Sequence, residues 1–226
     1  MELTEVGLQK CSDTFLVGYP DLHPGLDCAL AWRGTNDLCM DLMLDRENAQ
    51  KLFNLACEHF LDMYDDFHNV LSAAGMPTCT CMNLPIPNGR MHIPSADFSF
   101  MISPNDYIEF RLPILKEEVK TMNHNIFHVD GKGVANHINA ILSVPEVQCI
   151  QLVQCMADDY PIRQHLDLIR YVQSWNQGII VDLAKEDLDE YMEKMSPKNN
   201  FLWIATESEE EEFAIMKKVE KWSRKR

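Results

Sequence analysis

Short apolar runs alternate with longer amphipathic stretches along most of the chain. The apolar runs predict strands, because four to eight consecutive hydrophobic residues bounded by turn signals are typical of buried strands. The predicted strands cover 14–18, 78–82, 97–101, 125–129, 147–153, 178–182 and 201–205. A strand followed by a helix, repeated this often, predicts a parallel sheet with crossover helices.

The helical stretches carry apolar residues at i+3 and i+4 spacing and have recognisable end signals. The longest predicted helix begins near Asp45 and ends at Gly75. The dipeptide Ser103-Pro104 supplies an N-cap and a first-turn proline for the next helix. Further helices are predicted over 134–142, 162–176, 185–194 and 208–223.

Two α/β architectures fit this order of elements. Six or seven strands with following helices make either an open doubly wound sheet or most of a (β/α)₈ barrel, and periodicity does not choose between them. No linker rich in Gly, Ser or Pro divides the chain, so a single domain over 1–226 is predicted. The segment 83–96 contains three Pro and one Gly and predicts a long loop over a site at the carboxyl ends of the strands.

Composition and charge narrow the class of protein. The chain has 226 residues, is 46% hydrophobic and carries a net charge of −15, although the last ten residues contain six basic groups. This acidic body argues against nucleic acid as a partner, since affinity for phosphates comes from Lys and Arg. No run approaches the ~20 apolar residues of a membrane span, and the N-terminus lacks a secretory signal pattern. The eight Cys are therefore predicted to be reduced thiols of a cytoplasmic protein without membrane contact.

The best-placed polar cluster follows the predicted strand 125–129. His128 and Asp130 stand two residues apart on an extended segment, so their side chains point the same way. An imidazole beside a carboxylate supports acid/base catalysis, metal binding or substrate contact. The alternative is structural, with Asp130 capping the next helix and His128 donating to a backbone carbonyl.

Further candidates follow other predicted elements. Asp97 lies after the long loop and is a candidate catalytic residue at the same rim, or a turn cap. Asp21 and His23 lie in a loop of Pro, Asp and Gly that follows the first predicted strand, and are candidate substrate contacts or turn formers.

Four other side chains have weaker sequence contexts. Arg33 and Arg90 are the arginines near candidate loops and are predicted to bind substrate, although pairing with the acidic surface also suits Arg33. Cys79 and Cys81 share one face of a predicted strand, which suits either a soft metal or burial as small apolar groups.

Several segments together resemble the uroporphyrinogen decarboxylase-like superfamily. They are LVGYPDLHPGLDCALAWRG, SADFSFMISPNDYIEFRLPIL, HVDGKG, HINAILSVPEVQCIQLV and EEFAIMKKVEKW, and the similarity extends from about residue 12 to 222. The resemblance implies a (β/α)₈ TIM-barrel type fold that is incomplete here, with about six βα units and the first units missing. Strands without their usual neighbours in such a barrel predict either a homo-oligomer that covers the open edges or a local rearrangement that brings the two ends together.

The resemblance also implies a choice of activity. The superfamily contains tetrapyrrole decarboxylases and methyltransferases that move methyl groups between corrinoid proteins and thiols. The Arg-rich segment of the decarboxylases has no counterpart, and the His-x-Cys zinc pair of the methyltransferases reads His128-x-Asp130 here. A methyltransferase-like protein is therefore expected, with a divalent metal such as zinc on His128 and Asp130 and a corrinoid supplied by a partner protein. Decarboxylation and a non-catalytic binding module are the alternatives.

Overall fold

The computed structural model describes residues 1–12, 14–77, 84–86, 88–153 and 160–224. Five helices precede the first strand in the described chain: α1 (Glu2–Cys11), α2 (Leu26–Arg33), α3 (Thr35–Leu44), α4 (Arg46–Leu55) and α5 (Phe60–Ala73). None of the described helices is both long and apolar enough to cross a lipid bilayer.

Strands and helices alternate in the remainder of the chain. The strands are β1 (Met91–His92), β2 (His124–Asp130), β3 (Cys149–Val153), β4 (Gly178–Asp182) and β5 (Asn200–Trp203). The helices are α6 (Pro104–Asp106), α7 (Leu112–Val119), α8 (Gly131–Ala135), α9 (Ile138–Leu142), α10 (Pro161–Gln164), α11 (Leu166–Ser174), α12 (Leu188–Lys194) and α13 (Glu209–Ser223). A π-helical turn, Tyr107–Arg111, joins α6 to α7, and short 3₁₀ helices cover Asp97–Met101 and Lys185–Asp187.

All five described strands are parallel, and their order in the sheet is their order in the chain, β1-β2-β3-β4-β5. Right-handed connections between consecutive neighbours bring every crossover helix to the same face of a sheet. The protein is therefore a mixed α/β fold whose strand order lacks the reversal of a doubly wound sheet. Within the described residues β1 and β5 each pair on one side only, so the sheet is open and no closed barrel forms.

The two faces of the sheet differ in chemistry. Phe127 and Val129 of β2 point into the main hydrophobic core, together with Ile150, Leu152 and residues of the crossover helices. The alternate residues point the other way, because side chains alternate along a strand. Ile126 at the amino end of β2 belongs to a smaller apolar cluster there, and His128 follows it toward the carboxyl end. Polar groups thus accumulate where the strands end.

The sequence predicted the later elements better than the earlier ones. The strands expected at 125–129, 147–153, 178–182 and 201–205 correspond to β2, β3, β4 and β5, and the N-cap at Ser103 is confirmed because its Oγ accepts from the Asp106 N–H. The helix expected from Asp45 to Gly75 is two helices, α4 and α5, separated by a turn.

Two predicted strands are wrong, and each has a physical reason. Residues 14–18 are irregular, and Phe15 and Leu16 are half-exposed rather than paired in the sheet. Residues 97–101 form a 3₁₀ helix instead. The Asp27 carboxylate accepts hydrogen bonds from the N–H groups of Asp97 (3.0 Å) and Phe98 (2.8 Å), so the first N–H groups of this helix have a partner. The predicted strand 78–82 lies outside the described residues, and β1 was missed because it lies inside the segment expected to be a loop.

Candidate functional site

A pocket of about 470 Å³ opens at the carboxyl ends of β2, β3 and β4. Its polar lining consists of Asp21, His23, Ser95, Asp97, His128, Gln151 and Asp182. Its other walls are Ile93, Val153, Tyr160, Leu183, Trp203 and Ala205. In open or closed parallel sheets this edge is where ligands bind, because loops from several strands converge there.

Three potential metal ligands converge beside this pocket. Asp97, His128 and Asp130 each offer one nitrogen or oxygen atom, and these atoms all lie within 4.8 Å of one another. Strand β2 presents His128 and Asp130 on one face, as the two-residue spacing predicted. Asp97 joins them because the chain beyond β1 stays beside β2, where the His128 N–H donates to the Pro94 carbonyl at 2.9 Å.

Two glycines let the chain turn tightly at the end of β2. Gly131 has φ +84°, a left-handed conformation that suits glycine, and it directly follows Asp130. At Gly133 a Cβ atom would lie 2.2 Å from the Phe100 ring, so a larger residue would push the 3₁₀ helix away from α8. The two glycines therefore allow the segment carrying Asp97 to lie against the end of β2.

The His128 ring is held by a neighbouring strand. Its Nδ1 lies 2.6 Å from Oε1 of Gln151, the residue paired with it in register on β3. An amide oxygen only accepts hydrogen bonds, so Nδ1 donates to Gln151 and Nε2 is the ring nitrogen left for a ligand. Gln151 is itself buried, which fixes the orientation of the pair.

Asp97 is an exposed residue whose carboxylate faces other acidic groups. Partial removal of the carboxylate from water raises the pKa of Asp97, and the charges of Asp27 and Asp130 raise it further. A hydrogen bond from Ser95 Oγ at 2.8 Å and the nearby His128 oppose this rise. Since the ionised form is disfavoured by its neighbours, Asp97 is set up to be neutralised by a cation.

His23 and Asp21 form a hydrogen-bonded pair in the loop that precedes α2 and lines the pocket. His23 Nε2 lies 2.9 Å from Asp21 Oδ2. This hydrogen bond raises the pKa of His23, burial lowers it, and the charges of Asp21, Asp27 and Asp97 add to the rise. The imidazole therefore remains protonated at a higher pH than an isolated histidine.

The pocket has an unbalanced charge. Three carboxylates line it, Asp130 lies next to it, and within the described chain no Lys or Arg contributes to its lining. The segment 154–159 that follows β3 also contains no Lys or Arg in its sequence. The pocket therefore favours positively charged ligands over anions.

The structure brings five of the predicted site residues together and separates two. Asp21, His23, Asp97, His128 and Asp130 meet at one rim. The predicted substrate contacts Arg33 and Arg90 do not line this pocket.

The reason is different for each arginine. Arg33 ends α2 and pairs through Nε with Asp41 at 2.7 Å, so the acidic surface holds it. Arg90 directly precedes β1, at the opposite end of the sheet from the pocket. It pairs there with Asp65, and its guanidinium lies 4.8 Å from the Tyr64 ring centroid. The predicted Cys79 and Cys81 pair lies outside the described residues.

Sequence reasoning missed Gln151, Asp182 and Trp203. Asp182 had a usable signal, because it ends β4 as Asp130 ends β2. Gln151 had a weaker one, a single amide inside an apolar run. Trp203 had no signal of its own, because aromatic residues are common in strands. Its place beside β4 in the sheet brings it to the pocket.

Comparisons of the chain with protein-family models, with curated proteins and with solved structures give no match. The chemistry of the site therefore rests on its geometry.

Proposed function

We propose that this protein is a metal-dependent enzyme of the uroporphyrinogen decarboxylase-like superfamily, of its methyltransferase-like branch. The observation that carries the proposal is the convergence of Asp97, His128 and Asp130 at the carboxyl ends of a parallel sheet with sequential strand order. The sequence resembles that superfamily, but His128-x-Asp130 stands where its methyltransferases have a His-x-Cys pair, so the proposed site has a carboxylate in place of that thiolate.

The donor set fits a divalent ion. One imidazole nitrogen and two carboxylate oxygens suit zinc and other first-row divalent metals. Gln151 holds the imidazole as an outer partner holds a metal-ligating histidine. The ion would also neutralise carboxylates that lie close together, which favours its binding to Asp97 and Asp130.

A bound divalent metal supplies a Lewis acid that lowers the pKa of a coordinated water or thiol. The chain supplies the other functions. Gln151 fixes the tautomer of His128, Ser95 orients Asp97, and His23 holds a proton that Asp21 stabilises at Nε2. In the proposed methyl transfer, the pocket holds the small-molecule substrate and a partner protein carries the corrinoid.

Tetrapyrrole decarboxylation is less well supported. A substrate with many carboxylates needs cationic groups, and the described pocket lining contains carboxylates but no Lys or Arg. Like charges brought together in a partly desolvated pocket repel strongly.

Metal titration tests the proposed site. After removal of bound metal and addition of zinc, elemental analysis is expected to find one ion per chain, and His128→Ala is expected to lower the affinity at least about tenfold. The matched control is His124→Ala, because His124 is exposed at the amino end of the same strand. An equal loss in both variants, or no stoichiometric binding, contradicts the metal site.

Methyl transfer needs its own assay. Zinc-loaded protein is mixed without oxygen with methylcobalamin and 2-mercaptoethanol. The absorbance of methylcobalamin is followed as its methyl group passes to the thiolate sulfur, which gives the methyl thioether and leaves the Co–C bonding pair on cobalt as cob(I)alamin. The rate is expected to exceed the protein-free rate and to fall with His128→Ala but not with His124→Ala. A rate that is independent of His128 contradicts the assignment.

A further inference from the structure

Gln151 carries a buried amide group of which only the oxygen has a protein partner. Its Oε1 accepts from His128 Nδ1 at 2.6 Å, and the residue is only 5% exposed. In the part of the chain that the structure describes, its Nε2 donates to no acceptor. Buried donors in native proteins normally have a partner, so this amide nitrogen indicates an acceptor supplied by a ligand.

The position of Gln151 in the sheet directs its amide nitrogen into the pocket. Gln151 lies in register with His128 of β2 on one side and with Ile180 of β4 on the other. The Oε1 atom meets His128, whereas Ile180 is buried and its side chain has no polar atom. Because Gln151 lines the pocket, its Nε2 donors face space that a ligand can fill.

Trp203 supplies an aromatic surface on the same face of the sheet. Ile180, the register partner of Gln151, pairs with Phe201 of β5, and Trp203 lies two residues further along that strand. Trp203 lines the pocket and is 39% exposed although it is large and hydrophobic. Phe201 contacts its ring edge-on, with the ring centroids 6.4 Å apart. The indole therefore keeps ring surface for a ligand.

The spacing between Gln151 and Trp203 limits the size of this ligand. The two residues lie on β3 and β5 with β4 between them, so their backbones are roughly 10 Å apart at about 4.8 Å per pair of strands. Both side chains extend into the pocket, and the aliphatic residues Val153 and Leu183 also line it. The remaining space suits a single aromatic ring with a short polar substituent.

We infer that the organic ligand of this pocket is a small aromatic carbonyl compound. This ligand class rests on the proposed function, because it names the substrate of the same pocket. The carbonyl oxygen accepts from the Gln151 amide, and the ring packs against Trp203. A carbonyl suits the site better than a hydroxyl, since its oxygen only accepts and needs no acceptor in return. Neither contact involves a carboxylate of the lining.

The two contacts also orient the ligand. Gln151 is the register neighbour of His128, so the substituent with the carbonyl lies beside the proposed metal ligands. The ring lies toward β5, where Trp203 is.

Three small probes separate the hydrogen bond from the ring contact. Acetophenone has both groups, α-methylstyrene has a CH₂ group in place of the carbonyl oxygen, and cyclohexyl methyl ketone has a saturated ring. Ligand-observed NMR titration of the zinc-loaded full chain measures the dissociation constant of each probe. Acetophenone is expected to bind saturably at about millimolar concentration. An absence of saturable acetophenone binding overturns the inference.

Gln151→Glu tests the hydrogen bond. The Glu side chain keeps an oxygen that accepts from His128 Nδ1 but has no amide donor. The preference for acetophenone over α-methylstyrene, taken as the ratio of their dissociation constants, is expected to fall at least about fivefold. Comparing this ratio between variant and wild type cancels the different hydrophobicities of the two probes. An unchanged ratio overturns the carbonyl contact.

Trp203→Leu tests the ring contact, because leucine keeps apolar contact but has no aromatic face. The preference for acetophenone over cyclohexyl methyl ketone is expected to fall about threefold. The matched control is Trp175→Leu, since Trp175 is 47% exposed at the end of α11 and does not line the pocket. This control is expected to keep the wild-type preference, and an equal fall in both variants overturns the assignment to this pocket.

The metal content of each sample distinguishes the ligand class from the proposed function. Acetophenone binding that depends on Gln151 and Trp203 in protein that binds no zinc supports the ligand class and contradicts the metal-dependent enzyme. Stoichiometric zinc together with probe preferences that are independent of both residues supports the metal site and contradicts the ligand class.

Discussion

Glu118 and Asp97 lie at opposite ends of one chain of polar contacts, but their carboxylates meet opposite surroundings. Glu118 is fully buried, with one oxygen 2.7 Å from Arg111 Nη2 and the other 2.7 Å from His92 Nε2. Burial by itself raises the pKa of Glu118, but Arg111 and His92 outweigh it and hold the pKa below its ordinary value. Asp97 has a raised pKa among other carboxylates.

The opposite pKa shifts of these carboxylates distinguish a structural role for Glu118 from a proposed functional role for Asp97. In the buried cluster every charge has a partner, as buried ions require. Among the described residues that line the pocket, carboxylates outnumber cationic side chains, which favours a positively charged ligand. Ser95 joins the two regions, because its carbonyl accepts from Arg111 Nη2 at 2.9 Å and its Oγ donates to Asp97 at 2.8 Å. The buried cluster thereby fixes the backbone that carries the site.

The largest expected effect is on the buried cluster. Arg111→Met leaves Glu118 without its main partner, and we expect the free energy of unfolding to fall by about 3–5 kcal/mol. Urea unfolding followed by circular dichroism measures this. The matched control Arg33→Met breaks an exposed pair with Asp41 and is expected to cost far less stability, because water screens that pair. Similar losses in the two variants contradict the contrast between buried and exposed pairs.

A double variant sharpens the same comparison. Arg111→Met combined with Glu118→Leu removes both buried charges, and we expect it to recover much of the stability lost in Arg111→Met, because no carboxylate is left unpaired in the core. The same urea experiment measures it. A double variant that is less stable than Arg111→Met contradicts this explanation.

A smaller effect is expected on the pH dependence of stability. Its sign is opposite for Glu118 and Asp97. Glu118 has a lowered pKa, so its contribution is present above the ordinary pKa of Glu and is lost as pH falls. Asp97 has a raised pKa, so the folded state loses stability as pH rises above the ordinary pKa of Asp, about 3.9.

The two matched amide variants test these signs. Asp97→Asn is expected to be more stable than wild type near pH 7, by about 0.5 kcal/mol because Asp97 is exposed and screened. Glu118→Gln is expected to be less stable near pH 7, with the difference shrinking toward pH 4. Urea unfolding at several pH values between 4 and 7 checks both; a destabilised Asp97→Asn would argue against uncompensated charge in the pocket.

The smallest expected effect is at the residue that links the regions. Ser95→Ala removes the hydrogen bond that opposes the rise in the Asp97 pKa, so we expect that pKa to rise further. Carboxyl ¹³C NMR titration of Asp97 measures it. Ser143→Ala, which removes an exposed hydroxyl bonded to the Ala140 carbonyl, is expected to leave the Asp97 pKa unchanged. An unchanged Asp97 pKa in Ser95→Ala would show that the hydrogen bond from Ser95 does not affect the ionisation of this carboxylate.

Local patterns predicted β3 and β4 because the middle residues of both strands are buried. Mainly apolar runs such as 147–153 and 178–182 are typical of covered parallel strands. The two-residue spacing of His128 and Asp130, and the glycine after them, similarly predicted one shared face at a strand end.

The long-range contacts decided the rest. An apolar run at 14–18 was predicted to be a strand, but none of the described strands pairs with it. The run at 97–101 forms a 3₁₀ helix because a carboxylate 70 residues earlier in the chain binds its first N–H groups. Arg33 and Arg90 have loop-like sequence contexts, yet Asp41 and Asp65 hold them away from the pocket. The partners of a charged side chain depend on which segments meet, and sequence spacing does not give this.

The amino-acid sequence by itself determined the α/β class, four of the five described strands, the cap at Ser103 and the shared face of His128 and Asp130. Each of these depends on residues within a few positions of one another. Only the tertiary structure decided that Asp97, Gln151, Asp182 and Trp203 share a pocket, that the sheet stays open, and that Arg111 pairs with Glu118 in the core. These features join separate segments of the chain, and the free energy that selects them comes from packing and from pairing charges across the fold.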